Sequence, residues 1–238
     1  MYHAHHALHP EDLAFWQALA SQAGGFALEL GCGTGRVLEA LVQAGVQAFG
    51  LDLDSAMLGY LHQRFSEKRL PASVFQADMA SFALARPFAL ILLPCNTLTT
   101  LDREARRQLF DCVRQHLAPH GIFAASLPNP LRLASLPAHG PSEVEETLPH
   151  PRTGNPVQVS SAWQRRKDTF TLTWHYDHLL PDGRVERQTV ETRHSLQPLE
   201  AYEAELRQAG LALREVWGDF DLSGYTEEAP YLIFTALI

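Results

Sequence analysis

The stretch from Phe26 to Ala44 constrains this chain most. A short apolar run, Phe26 to Leu30, opens directly into Gly31-Cys32-Gly33-Thr34-Gly35, and Arg36 to Ala44 then carries Val37, Leu38, Leu41 and Val42 on one helical face. Strand, glycine loop and helix in that order form a building unit of an open parallel sheet. Glycines permit positive φ and close approach of a ligand, while the following helix presents unpaired N–H groups. In such sheets ligands sit beyond the carboxyl ends of the strands, where the strand order reverses. The plain alternative is a tight turn that binds nothing. A dinucleotide fingerprint is not met, because Gly31-x-Gly33-x-x puts Arg36 where glycine or alanine is required.

The unit repeats. Val46 to Leu51 is a second strand ending in Asp52, and Ser55 to Phe65 has Met57, Leu58, Leu61 and Phe65 at helical spacing. Val74 to Ala77 is a short third strand ending at Asp78. Phe88 to Leu93, apolar throughout, is a fourth strand covered on both faces. Asp102 can cap a helix reaching about Leu117, and Ile122 to Leu127 supplies a fifth strand. Ahead of the glycine loop, residues 10 to 23 form an amphipathic helix stopped by Gly24-Gly25. Strands alternating with helices imply an α/β fold with a doubly wound, mostly parallel sheet.

Residues 128 to 156 hold seven prolines and two glycines and are expected to sustain no long regular element, only a connection or lid. Beyond them Phe170, Leu172, Trp174 and Tyr176 alternate with polar residues. Pro181-Asp182-Gly183 turns the chain into Arg184 to His194, and Val157 to Trp163 would be a third strand of this antiparallel patch. After a helix from Pro198 to Ala209, two last strands are expected near Leu211 to Trp217 and Tyr231 to Leu237. The organisation is therefore 1–127 for the N-terminal helix and cofactor-binding half, 128–197 for the lid and antiparallel insert over the substrate site, and 198–238 for the closing helix and strands.

Charge and composition narrow the partners. With 46% hydrophobic and 19% charged residues the chain is ordinary globular material, and a net charge of −8 without a basic run argues against nucleic acid. No stretch is apolar enough to span a membrane and no leader is evident, so a cytoplasmic protein is expected. Cys32, Cys95 and Cys112 suit neither a disulfide framework nor a zinc knuckle. His3, His5, His6 and His9 resemble a metal tract, but a terminal segment with nothing behind it is expected to hold none. A homodimer stays open.

Carboxylates fall where a nucleoside needs them. Asp52 can accept from both ribose hydroxyls, its alternative being a helix N-terminal acid, a role Asp54 could fill equally well, and Asp78 can accept from an adenine amine. Met57 and Met79 offer apolar walls, or core packing in the case of Met57. Glu29 is odd on an apolar strand, and burying its charge demands a cationic ligand or a local cation.

Leu28 to Arg36, Gly50 to Leu58 and Gln76 to Met79 together resemble the first three motifs of class I S-adenosylmethionine-dependent methyltransferases. The resemblance implies a Rossmann-like seven-stranded sheet closed by an antiparallel hairpin, and S-adenosyl-L-methionine as cofactor. Glu29 with the loop Gly31, Cys32, Gly33 and Gly35 would hold the methionine moiety, Asp52 the ribose, and Asp78 with Met79 the adenine. Leu53, Met57 and Leu93 are counted with the cofactor contacts. The antiparallel insert, with Gly218 to Asp221 and Thr226-Glu227 before the last strand, is similar to bacterial small-molecule methyltransferases of the amino-sugar and glycine or sarcosine type. Methyl transfer to an N or O atom of a small metabolite follows. A nicotinamide-dependent oxidoreductase and a noncatalytic cofactor-binding regulator are the alternatives.

No residue identifies itself as a catalytic base. Asn96 and Thr97, after the fourth strand, are candidates for substrate contacts, as are Tyr2 and Trp16 as aromatic covers, Tyr225 in the last loop, and His175 on the insert strand. The Asn/Asp-Pro-Pro-aromatic motif of DNA amino-methyltransferases is not matched by Pro94-Cys95-Asn96, and Asn129-Pro130 follows the fifth strand instead.

Overall fold

The computed structural model describes residues 1–238, which divide into two compact units: Glu11–Asn129 with Pro198–Ile238, and Met1–Pro10 with Pro130–Gln197. In the larger unit, α2 (Leu13–Ala23) precedes β1 (Phe26–Leu30), α3 (Arg36–Gln43), β2 (Gln47–Asp52), α4 (Ser55–Glu67) and β3 (Val74–Gln76). Then come β4 (Phe88–Leu93), a short 3-10 turn (Thr97–Thr100), α5 (Arg103–His116) and β5 (Leu117–Pro128), and finally α7 (Leu199–Gln208), β10 (Ala212–Trp217) and β11 (Tyr231–Leu237). The smaller unit holds α1 (Tyr2–His6), α6 (Pro130–Ser135), β6 (His139–Pro149), β7 (Pro156–Arg165), β8 (Thr169–Leu179) and β9 (Val185–Ser195).

The strand order of the larger sheet is β10-β11-β5-β4-β1-β2-β3. All neighbours are parallel except β11, which runs antiparallel to β5 and to β10. The expected seven-stranded, doubly wound sheet with its closing hairpin is therefore present. After β3 the chain crosses to the far side of β1 to lay down β4, so the order reverses between β1 and β4, and the loops leaving these two strands flank the crevice.

Side-chain alternation assigns the two faces. Leu28, Leu30 and Leu93 pack with Leu109 and Phe110 of α5 and Tyr202 of α7, whereas Ala27, Leu90 and Leu92 pack with Phe15 and Trp16 of α2 and Leu61 of α4. Every residue of β4 except Ala89 is buried, as its unbroken apolar run requires. The helix expected from residue 10 starts three residues later. Asp12 sits in the cap position but makes no side-chain cap bond, because Arg36 and Trp16 take its oxygens. No helix is long and apolar enough to cross a membrane.

The smaller unit is an antiparallel sheet of order β6-β7-β8-β9. It corrects the reading of residues 128–156, since β6 is an eleven-residue strand. The proline and glycine signals act differently on an edge strand. Gly140 leaves room for the Trp163 ring, since a Cβ there would lie 2.2 Å from it, and Pro141 falls in the register shift between Gly140 and Glu143. An edge strand tolerates a missing N–H at such a bulge. The first ten residues, grouped above with the cofactor-binding half, belong to this unit. Met1 and Ala4 pack on Leu148, Val157, Val159 and Tyr176, a small core in which the sheet would otherwise lack a cover.

Candidate active site

The loop leaving β1 takes its shape from its glycines. Gly31, Gly33 and Gly35 have φ of +66°, +52° and +79°, the left-handed region that side-chained residues rarely adopt. Space is also short. A Cβ on Gly35 would meet Leu61 Cδ1 at 2.7 Å, and one on the strand residue Gly50 would meet Cys32 Sγ at 2.7 Å. Cys32 is accordingly buried against β2, and burial pushes its thiol well above the usual range.

Several predicted residues converge on this loop. A Cβ on Gly31 would lie 3.2 Å from Met79 Cε and 3.6 Å from Thr97 Cγ2, and one on Gly33 would lie 3.7 Å from Met57 Sδ and 3.9 Å from Asp52 Oδ2. Asp52 Oδ2 accepts the Gly33 N–H at 2.7 Å and Oδ1 accepts the Asp54 N–H at 2.8 Å, which fixes the carboxylate at the end of β2. Capping α4 falls to Asp54, whose side chain accepts from Ala56 and Met57. The exposed Asp78 holds the Ala80 N–H at 2.8 Å through one oxygen. Leu53 is 67% exposed beside Asp52.

Glu29 is 3% exposed, and its Oε2 has no hydrogen-bond partner. Desolvation raises its carboxyl well above the ordinary value, with Arg36 and the Leu38 backbone N–H opposing that shift. The expected local cation thus exists but is engaged elsewhere. Arg36 makes a two-pronged pair with Asp12 at 2.6 and 2.7 Å and donates to Cys95 Sγ at 3.2 Å. That network joins the start of α3 to the entrance of α2 and to the loop after β4. A buried carboxylate oxygen without a donor, beside a backbone cradle, fits the ammonium of a methionine moiety.

The loop after β4 is the other wall of the crevice. Cys95 and Asn96 have φ of +61° and +64°, a strained pair outside glycine. The strain is held by the Asn96 N–H to the Ser126 carbonyl at 3.1 Å and by the Thr99 hydroxyl to the Asn96 carbonyl at 2.7 Å. Thr97 donates to the Pro94 carbonyl at 3.3 Å.

Other candidates land elsewhere. Trp16 is fully buried, with its indole N–H on Asp12 at 3.1 Å, so it is a core residue and not an aromatic cover. Leu93 is likewise fully buried against α5 and α7, on the side of the sheet opposite Glu29. Tyr2 and His175 belong to the smaller unit. There the Tyr2 ring lies tilted against His6 with centroids 4.2 Å apart, and His175 Nδ1 is 2.9 Å from the Thr189 hydroxyl. Tyr225 donates to Asn129 Oδ1 at 3.0 Å, and burial pushes its phenol up to about 12. Asn129, which the sequence offers only as a misplaced Asn-Pro pair after the fifth strand, has a structural role instead. It is 1% exposed, and its amide donates to the carbonyls of Thr226 and Ala229 at 2.9 and 2.8 Å, tying the last loop to the end of β5. Its sequence signal was an asparagine directly after an apolar strand.

Residues 27–121 match a family model described as a methyltransferase domain. The ubiquinone biosynthesis O-methyltransferase of Methylococcus capsulatus is 27% identical over 144 residues, 60% of this chain and 61% of that protein, so the match spans less than two thirds of its length. An S-adenosylmethionine-dependent methyltransferase structure from Clostridium acetobutylicum superposes with a TM-score of 0.82 at 16% identity, covering 95% of this chain and 92% of the other. The sugar N-methyltransferase KedS8 from Streptoalloteichus superposes at 0.75 with 20% identity over 94% and 86%. At these identities the superpositions establish a common fold.

Proposed function

We propose that this chain, an S-adenosylmethionine-dependent methyltransferase, moves the cofactor's methyl group onto a nitrogen or oxygen of a small metabolite. The observation that carries the reading is Glu29 Oε2, buried without a partner at the end of β1 and followed by three glycines at positive φ. An ammonium is what such an oxygen lacks, and the cofactor's methionine moiety bears one. Asp52 would take the ribose. Both its oxygens already hold an N–H, so it is preorganised, and each keeps a lone pair for a hydroxyl. Asp78 would meet the adenine amine, with Met57 and Met79 as apolar walls.

When bound, the cofactor supplies a methyl carbon activated by its sulfonium. The remaining work is alignment and exclusion of water, for which no enzyme nucleophile is needed. Asn96 and Thr97 would position the acceptor from the loop after β4. Tyr225, with its phenol pushed up to about 12, stays protonated at neutral pH and serves as a hydrogen-bonding group, not a base. Relatives named as a sugar N-methyltransferase and as a ubiquinone biosynthesis O-methyltransferase support a small acceptor of either kind. The charge of −8 argues against a phosphate backbone as partner, and unpaired Cys32, Cys95 and Cys112 fit a cytoplasmic setting.

Calorimetry with S-adenosylmethionine and its demethylated product, followed by mass detection of methylated products over a panel of amines and hydroxy compounds, tests the reading. Saturable binding and at least one methylated small product are expected. Folded protein that binds neither cofactor form overturns it.

A further inference from the structure

We propose that His5, His9 and Glu146 form a binding site for one divalent transition-metal ion of the zinc class, within the smaller unit and separate from the glycine loop. The ligating atoms of the three side chains all lie within 4.8 Å of one another. His5 Nε2 is 3.2 Å and His9 Nε2 3.9 Å from the same carboxylate oxygen, Glu146 Oε1. Donors at ~2.0 to 2.1 Å from a tetrahedral ion are ~3.3 Å apart. The His5–Glu146 separation of 3.2 Å already matches that spacing, whereas His9, 3.9 Å from the same oxygen, must move in, and the two histidine ligand atoms, within 4.8 Å of each other, must close by up to ~1.5 Å around an ion.

Two further observations separate this cluster from a chance meeting of surface groups. First, Glu146 Oε1 is buried and takes no hydrogen bond despite the imidazole 3.2 Å away. The carboxylate oxygen and the two imidazoles form an ion pair when a histidine is protonated and a shared donor set when both are neutral. Second, His5 is 3% exposed, and its other ring nitrogen, Nδ1, is 2.8 Å from the Tyr176 hydroxyl. A partner on the far nitrogen fixes ring orientation and leaves the near nitrogen as ligand, the usual support for a metal-bound histidine. Trp174 packs edge-on to the same ring at 4.8 Å and limits its rotation.

Two imidazoles and one carboxylate select zinc-class ions over calcium or magnesium, which take oxygen donors. Three protein ligands leave a coordination position for water. The ion would also tie α1, whose five residues are too few to persist unaided, to β6, adding to the packing of Met1 and Ala4.

Titration of the full chain with Zn²⁺ by calorimetry, and with Co²⁺ by visible absorption, tests this. One equivalent of Zn²⁺ and a tetrahedral Co²⁺ spectrum are expected. His9→Ala, at an exposed position, and Glu146→Gln should each weaken Zn²⁺ binding about tenfold or more, and Tyr176→Phe about tenfold. The His3→Ala/His6→Ala double variant should bind as the parent does. Absence of saturable Zn²⁺ binding, or unchanged affinity in both His9→Ala and Glu146→Gln, overturns the proposal. Thermal melts of each variant confirm folding, so that lost binding reads on the site alone.

Discussion

In the parallel sheet Phe88 and Leu90 to Leu93 are buried on both faces, whereas in the antiparallel sheet every residue from Val185 to Glu191 is exposed. The larger unit is a layered core in which apolar burial carries the stability, at about 25 cal/mol per Å² of apolar surface. The apolar cluster of the smaller unit has only four buried side chains, Leu148, Val157, Val159 and Tyr176, and the unit leans on cross-strand pairs. Asp177 and Arg187 stand directly opposite each other on β8 and β9 and make two bonds of 2.7 Å. The difference teaches where chemistry can be sited. Glu29 can be kept buried and short of a donor because a rigid core surrounds it, while the smaller sheet can recruit a terminal segment because its own core is incomplete.

The two units should differ most in the cost of emptying their cores. Phe123→Ala, at a fully buried site on β5, should cost about 3 to 5 kcal/mol in urea denaturation, and Val159→Ala in the smaller unit about 1 to 2 kcal/mol. Equal losses would mean that the two cores are equally packed. Asp52→Ala should weaken cofactor affinity by ~1 to 3 kcal/mol, the cost of losing a charged hydrogen-bond partner. Calorimetry reads that value, and unchanged affinity would misplace the ribose.

Glu29 sharpens the contrast through pH. Its folded-state carboxyl is raised by burial, so its stabilising contribution is complete below the unfolded pKa and is lost as pH rises through the folded one. Without cofactor, the stability of the parent relative to Glu29→Gln should therefore fall with rising pH in urea melts. A pH-independent difference would show the carboxyl to be solvated. The smallest effect is expected from Arg187→Gln. Asp177 is held below its ordinary range by the Arg187 hydrogen bonds, so the pair stabilises above the unfolded pKa of Asp177 and stops doing so as pH falls through the folded one. A slight loss of stability near neutral pH that vanishes in high salt or acid is the expected signature.

Legibility followed the same division. Phe26 to Leu30 and Phe88 to Leu93 were readable to the residue, because an apolar run bounded by turn residues has few alternatives. Strand β6 was not readable, because on an edge strand Gly140 and Pro141 mark a ring contact and a bulge instead of an ending. Helix α1 was not readable either, since it gains its partners from Glu146 and Tyr176, more than a hundred residues away. The positions of the glycine loop and Asp52 at the ends of β1 and β2 were readable, whereas Asp78 lies two residues beyond the end of β3. Trp16 misled because an aromatic residue near a cofactor motif carries no sign of whether it lines a ligand site or fills the core.

The sequence by itself determined the alternation of strands and helices, the glycine-rich exit from β1 and the acidic residues that end β2 and precede the fourth strand. Each depends on spacing along a few consecutive residues. Only the tertiary structure decided that Arg36 is spent on Asp12 and leaves Glu29 Oε2 without a donor, that Asn129 ties down the loop bearing Tyr225, and that His5 and His9 meet Glu146. The physical reason is range. Backbone preference acts within a turn or two, whereas the pairing of a buried charge is settled by whichever groups the folded chain brings within hydrogen-bonding distance.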